Sequence, residues 1–134
     1  YMYDTSCFKD PLKYRSVFRK ALIKSSGLHG IVENHHIIPK QWENHNLFDK
    51  IKFDVHSSYN IVMLPNIKHN FYIGASHMII HESGHKKYNE YVKVQLDELL
   101  EKYSDDDEFK YNFWLFHTYL KASLNNNSTD IPWN

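Results

Sequence analysis

The chain has 134 residues and a mass of 16.1 kDa, with 42% hydrophobic and 24% charged residues. That is enough for one domain with one core, too little for a large two-domain enzyme, and too apolar for wholesale disorder. Sixteen basic residues balance sixteen acidic ones, so a wholly basic surface is excluded and a polyanionic partner must be met by a local patch. The one cysteine, Cys7, rules out a disulfide framework and a cysteine-cage zinc finger, and it suits a reducing intracellular compartment. No signal peptide is visible, and the longest apolar run, Ile61 to Pro65, is strand length, so no membrane span is expected. Tyr1 with Met2 behind it is compatible with a numbering that starts inside a longer chain. Histidine stands out at 10 of 134 residues. It ligates metals and titrates near neutrality, so it marks where chemistry is sought.

Asp10-Pro11 reads as an N-cap followed by Pro at the first helical position. Leu12, Val17, Phe18, Ala21 and Leu22 roughly follow helical spacing up to a stop at Ser25-Ser26-Gly27. The other face carries Lys13, Arg15, Arg19, Lys20 and Lys24, the most basic stretch of the chain. Residues 30–38 predict a short strand ending at Pro39, then a short helix, then a loop-like stretch over 46–59. Asn60 to Leu64 predicts a second short strand closed by Pro65. From about Glu82 to Tyr103 the apolar spacing is helical, with Tyr88, Val92, Leu96 and Leu99 on one face. An acidic run at 104–108 breaks and caps, and a final aromatic-rich helix follows over about 106–124. Residues 125–134 read as a frayed tail. No repeat and no linker divides the chain, so residues 1–134 form a single, mainly helical α+β domain with its core at about 28–103.

Three local features carry the chemistry. His35 and His36 are adjacent, and adjacent residues of a strand point to opposite faces unless the strand bends. Two imidazoles there can divide labour, one on a metal and the other taking a proton. His81 and His85 are four apart, one helical turn, at metal-chelating distance. Asn60 stands at the start of an apolar strand. Each feature alone is weak: a histidine pair is usually a surface accident and Asn60 a turn residue.

Together, in this order, they resemble a family. The run His35-His36-Ile37-Ile38-Pro39, the strand Asn60-Ile61-Val62-Met63-Leu64-Pro65, and His81-x-x-x-His85 leading into Tyr88-Asn89-x-Tyr91-Val92 look like the AHH-type nucleases of the HNH/ENDO VII superfamily. The resemblance covers about residues 28–100. It departs at Asn34, where the family has a small residue, and at Ser83-Gly84, where the family favours the reverse order. It implies a ββα-metal core with flanking N- and C-terminal helices around one divalent ion. His35, His81 and His85 would be the metal ligands, His36 the general base, and Asn60 the residue holding the loop or ring that orients His36. The implied activity is endonucleolytic hydrolysis of phosphodiester bonds, most simply in DNA, leaving 5′-phosphate ends. All-nitrogen ligation favours zinc or another transition metal, with manganese compatible and magnesium kept open by the family's tolerance. Arg15, Arg19, Lys20, Lys86 and Lys87 are the candidate nucleic-acid contacts, each equally readable as a solvated helix face. An immunity protein is the expected partner if the domain is a toxin warhead, and the oligomeric state is not legible.

Two rival readings stand beside this one. His81-Glu82-Ser83-Gly84-His85 also satisfies the H-E-x-x-H signature of zinc peptidases, with Glu82 as base and Glu98 or Glu101 as third ligand. That reading puts Gly84 inside a helix that must be firm, and it leaves His35, His36 and Asn60 unexplained. The other rival is a metal-stabilised binding module without turnover, which needs neither His36 nor Asn60.

Overall fold

The computed structural model describes residues 10–65, 85–125 and 131–132. The first helix, α1, spans Val17–Ser25, starting later than Asp10-Pro11 predicts. Ser16 does the capping instead: its hydroxyl accepts from the Arg19 backbone N–H at 3.1 Å. The Asp10 carboxylate accepts from Leu12 N–H at 3.2 Å and from Ser58 N–H at 2.6 Å. It therefore ties the N-terminal arm to the segment that leads into the second strand.

The helix also turns a different face inward. Val17 is 80% exposed and Phe18 68%, while Arg19, at 6%, is the residue α1 buries. A charged side chain is buried at tolerable cost only where polar groups meet it. Here Arg19 Nε donates to the Leu12 carbonyl at 2.8 Å and Nη1 to Asn34 Oδ1 at 3.4 Å. Burial holds its guanidinium below the ordinary pKa, with Asp10 opposing that shift.

Gly27 and Gly30 both take positive φ, which lets the chain turn sharply out of α1. Strand β1 is Val32–His36 and strand β2 is Ile61–Pro65. They pair antiparallel, with His35 opposite Val62 and His36 opposite Ile61. Beyond β1, Ile37 and Ile38 are fully buried, and the Ile37 N–H donates to the Asn60 carbonyl at 2.7 Å. The connection contains three short 3-10 turns, Lys40–Trp42, Asn46–Asp49 and Ser58–Asn60, where the sequence reads as one short helix and a loop.

Helix α2 spans Lys86–Lys102 and buries Tyr88, Val92 and Leu96, a strict i, i+4 stripe. Helix α3 spans Asp106–Asn125 and buries Phe109, Phe113, His117, Leu120 and Leu124 along its inner face. The acidic run is a cap, since the Asp105 carboxylate accepts from the N–H groups of Asp107 at 2.9 Å and Glu108 at 3.0 Å. The tail departs from the frayed-end reading at Ile131, which is 5% exposed and joins the core. The molecule is thus an α+β fold in which a small antiparallel sheet is followed by α2, the ββα order, with α1 and α3 flanking it. No helix among the described residues is long and apolar enough to cross a membrane.

Candidate active site

His35 and His36, adjacent at the end of β1, differ in burial. His35 is 1% exposed, with its ring centroid 5.0 Å from that of His85 and 5.1 Å from that of Tyr88. His36 is half-buried, facing Tyr14 edge-on at 4.4 Å. Both histidines line an open cavity of about 550 Å³, together with Tyr14, Asn34, His85 and Asn89.

Two bonds hold the end of β1 against the start of α2. The Tyr88 hydroxyl donates to the Ile37 carbonyl at 2.5 Å, and the Trp42 indole N–H donates to the Asn89 carbonyl at 2.9 Å. Tyr88 is fully buried, which pushes its pKa well above the ordinary value and keeps the hydroxyl a donor. These ties cross long stretches of sequence, and they are why His35 and His85 meet.

His85 caps α2 at its N-terminus, and its Nδ1 lies 3.0 Å from Asn89 Oδ1. An amide oxygen accepts, so Nδ1 carries the hydrogen and the lone pair of the neutral ring sits on Nε2. That is the arrangement in which a histidine ligates a metal while its other nitrogen is anchored. His81 lies outside the described residues, and among those described no three ligand-type side chains form a cluster. The donor set nonetheless fits a transition-metal ion: two imidazoles side by side, one anchored through its second nitrogen, at the wall of an open cavity.

Asn60 meets the loop and not the His36 ring. Its Oδ1 accepts from the Ile38 N–H at 2.8 Å, and its Nδ2 donates to the carbonyls of Ile38 at 3.0 Å and Val55 at 2.8 Å. Its Oδ1 also receives His117 Nε2 at 3.1 Å. Burial lowers His117 from 6.5 to about 3, with Lys121 adding to the shift, so the ring is a neutral donor in the core. Nothing local in the sequence marks His117, because its partner is 57 residues away.

His56 is a second residue whose partners lie too far along the chain for local spacing to show. Its Nδ1 lies 3.1 Å from His36 Nε2, and its Nε2 lies 3.7 Å from Glu43 Oε2. Its ring stacks on Tyr14 at 5.6 Å.

The basic candidates divide. Lys20, Lys86 and Lys87 are exposed. Arg15 is exposed too, with a φ of 63° and its guanidinium 5.1 Å over the Tyr14 ring, beside the cavity. Arg19 differs from the expectation of a phosphate contact, because it is buried and engaged by Leu12 and Asn34. Lys40 lines the cavity, although the sequence does not single it out. Glu82, on which the peptidase reading depends, lies outside the described residues.

A search of curated proteins and a search of solved structures found no match. A family model does match, over residues 20–112: AHH, a nuclease family of the HNH/ENDO VII superfamily with a conserved AHH. The matched span holds both strands, all of α2 and the first part of α3. Where the family motif has Ala this chain has Asn34, whose side-chain oxygen accepts from Arg19, a bond Ala cannot make. The matched residues span well over half of the chain and include the histidine pair at the cavity, so the protein belongs to the AHH family of nucleases and its substrate is a nucleic acid.

Proposed function

We propose that the protein is a metal-dependent endonuclease that hydrolyses phosphodiester bonds in DNA and leaves 5′-phosphate ends. The observation that carries this reading is the pairing of His35 with His85 at 5.0 Å on the wall of the cavity that His36 also lines. His35 and His85, with His81, would hold one divalent ion, zinc or another transition metal first on ligand type. When bound, that ion supplies positive charge against the charge that develops on the phosphate and its leaving 3′ oxygen.

The remaining work falls to the chain. His36 takes a proton from the attacking water, the role of a general base that an imidazole nitrogen can fill. Asn60 keeps the end of β1 in place by bonding both backbone groups of Ile38, two residues beyond His36. Lys86 and Lys87 on the first turn of α2, with Lys20 and the Arg15 guanidinium over Tyr14, draw the phosphate backbone toward the cavity.

The test is cleavage of supercoiled plasmid, with RNA alongside, by wild type, His36→Ala and Glu82→Ala. Magnesium, manganese, zinc and a chelator control are compared. Nicking by wild type and Glu82→Ala, lost in His36→Ala and on chelation, is the expected result. No cleavage of the plasmid under any metal would overturn the DNA endonuclease reading. With RNA equally untouched, the nuclease reading loses its main support, and the peptidase and binding-module readings come forward.

A further inference from the structure

His36, His56 and Glu43 form a chain of contacts, not a cluster around one point. The His36 Nε2 to His56 Nδ1 distance of 3.1 Å is a hydrogen bond, with the rings crossed at 79°. Glu43 meets the opposite nitrogen of His56, Nε2, at 3.7 Å. The carboxylate therefore cannot share an ion held between the two rings, and among the described residues no three ligand-type groups converge. The His56 side chain is also fixed from its own backbone outward. Its N–H donates to Asp54 Oδ1 at 2.9 Å, its carbonyl accepts from Tyr14 N–H at 2.8 Å, and its ring lies flat on Tyr14. Asp54 is itself held by Lys13 at 2.7 Å.

We propose that His56, backed by Glu43, is a positioning residue that fixes both the orientation and the tautomer of His36. This rests on the reading of His36 as the general base. The logic follows from the two contacts. A carboxylate attracts an N–H, so Glu43 favours the His56 tautomer with its hydrogen on Nε2. His56 Nδ1 is then an acceptor, and the bond between the rings must take its hydrogen from His36 Nε2. A neutral His36 protonated at Nε2 carries its lone pair on Nδ1, which becomes the nitrogen that receives the proton from water. Tyr14, edge-on to His36 and stacked on His56, restricts rotation of both rings. The opposite tautomer of His56 would donate into His36 and move the lone pair to the wrong nitrogen. The Glu43 charge works against that outcome.

The experiment measures kcat and KM for plasmid or oligonucleotide cleavage in the metal-loaded enzyme. His36→Ala, His56→Ala, His56→Asn and Glu43→Gln are compared, with folding checked by circular dichroism and melting. His56→Ala is expected to lower kcat about tenfold to a hundredfold with KM unchanged, short of the roughly 10²–10⁴ carried by a general base itself. His56→Asn places an amide oxygen near the position of Nδ1 and is expected to restore most of that loss. Glu43→Gln, at the exposed rim, is expected to lower kcat several-fold without changing the melting temperature. If His56→Ala does not fold, Glu43→Gln decides alone, and an unchanged kcat overturns the proposal. So does a folded His56→Ala variant within twofold of wild type while His36→Ala is inactive. An active His36→Ala variant would instead remove the general-base reading, a separate and distinguishable failure.

Discussion

Replacing His117 with Gln removes a titrating group from the core while keeping a donor near Nε2 for Asn60 Oδ1. In the folded protein His117 is 3% exposed and lowered from 6.5 to about 3, chiefly by burial. The unfolded chain takes up a proton there near pH 6.5 that the folded chain refuses until about pH 3. The neutral ring's contribution is therefore complete above the unfolded value and is lost as pH falls through the window between the two. From pH 7 to pH 5 the loss is about 2 kcal/mol, approaching about 1.4 kcal/mol per pH unit on the acid side. The other histidines and the carboxylates titrate in both proteins, so they cancel in the difference. The assay is urea unfolding followed by tryptophan fluorescence at several pH values. The stability difference between variant and wild type should move by about 2 kcal/mol in favour of His117→Gln between pH 7 and pH 5. Parallel curves, or an NMR titration placing folded His117 near 6.5, would refute the burial argument.

Other substitutions test the scaffold around the cavity. Asn60→Ala leaves the Ile38 N–H and two carbonyls without their buried partner and should cost about 3 kcal/mol or more in denaturant unfolding. A cost under about 1 kcal/mol would contradict the loop-holding role. Tyr88→Phe deletes the hydroxyl that reaches Ile37 and should cost about 1–2 kcal/mol, read from the urea midpoint at constant m. An unchanged midpoint would mean that the α2 contact does not hold the end of β1. Ile131→Ala should cost about 2–4 kcal/mol if the tail packs into the core, whereas a frayed tail would show almost no change in melting temperature. Asp97→Asn removes the charge of a half-exposed carboxylate paired with exposed Lys93 and with the largely buried His45 ring and should stay under about 1 kcal/mol, with a larger loss contradicting the surface character of Asp97.

Local signals in the chain were good guides where the deciding interaction is itself local. The stripe Tyr88, Val92, Leu96 buries as its spacing predicts, and Asp105 caps α3 from within the acidic run. Strand β1 buries His35 and leaves His36 half-buried, yet both line one cavity, which strict alternation along a strand does not predict. The motif order also pointed to the family that the matched model identifies. Local signals misled at α1. Asp10-Pro11 has the form of a helix start, but the Asp10 carboxylate bonds Ser58, 48 residues away, and Ser16 caps in its place. The apolar residues of that helix read as its inner face, while the side chain actually buried is Arg19, whose partner Asn34 lies in the strand.

What the sequence by itself determined is therefore the element order, the buried face of α2, and a histidine pair beside an Asn-led strand with a nuclease-type pattern. These follow from spacing, capping and chirality within a turn or two of chain. Only the tertiary structure decided that Asn60 holds the loop through Ile38 and Val55, and that His117 is a neutral donor beneath it. It alone placed His56 against His36, with Glu43 behind. Each of these depends on polar atoms brought together from distant positions, in the buried core around Asn60 and at the half-exposed edge of the cavity around His36. Such partnerships leave no periodicity along the chain, because residue spacing reports which face a side chain occupies and not what the fold brings to meet it.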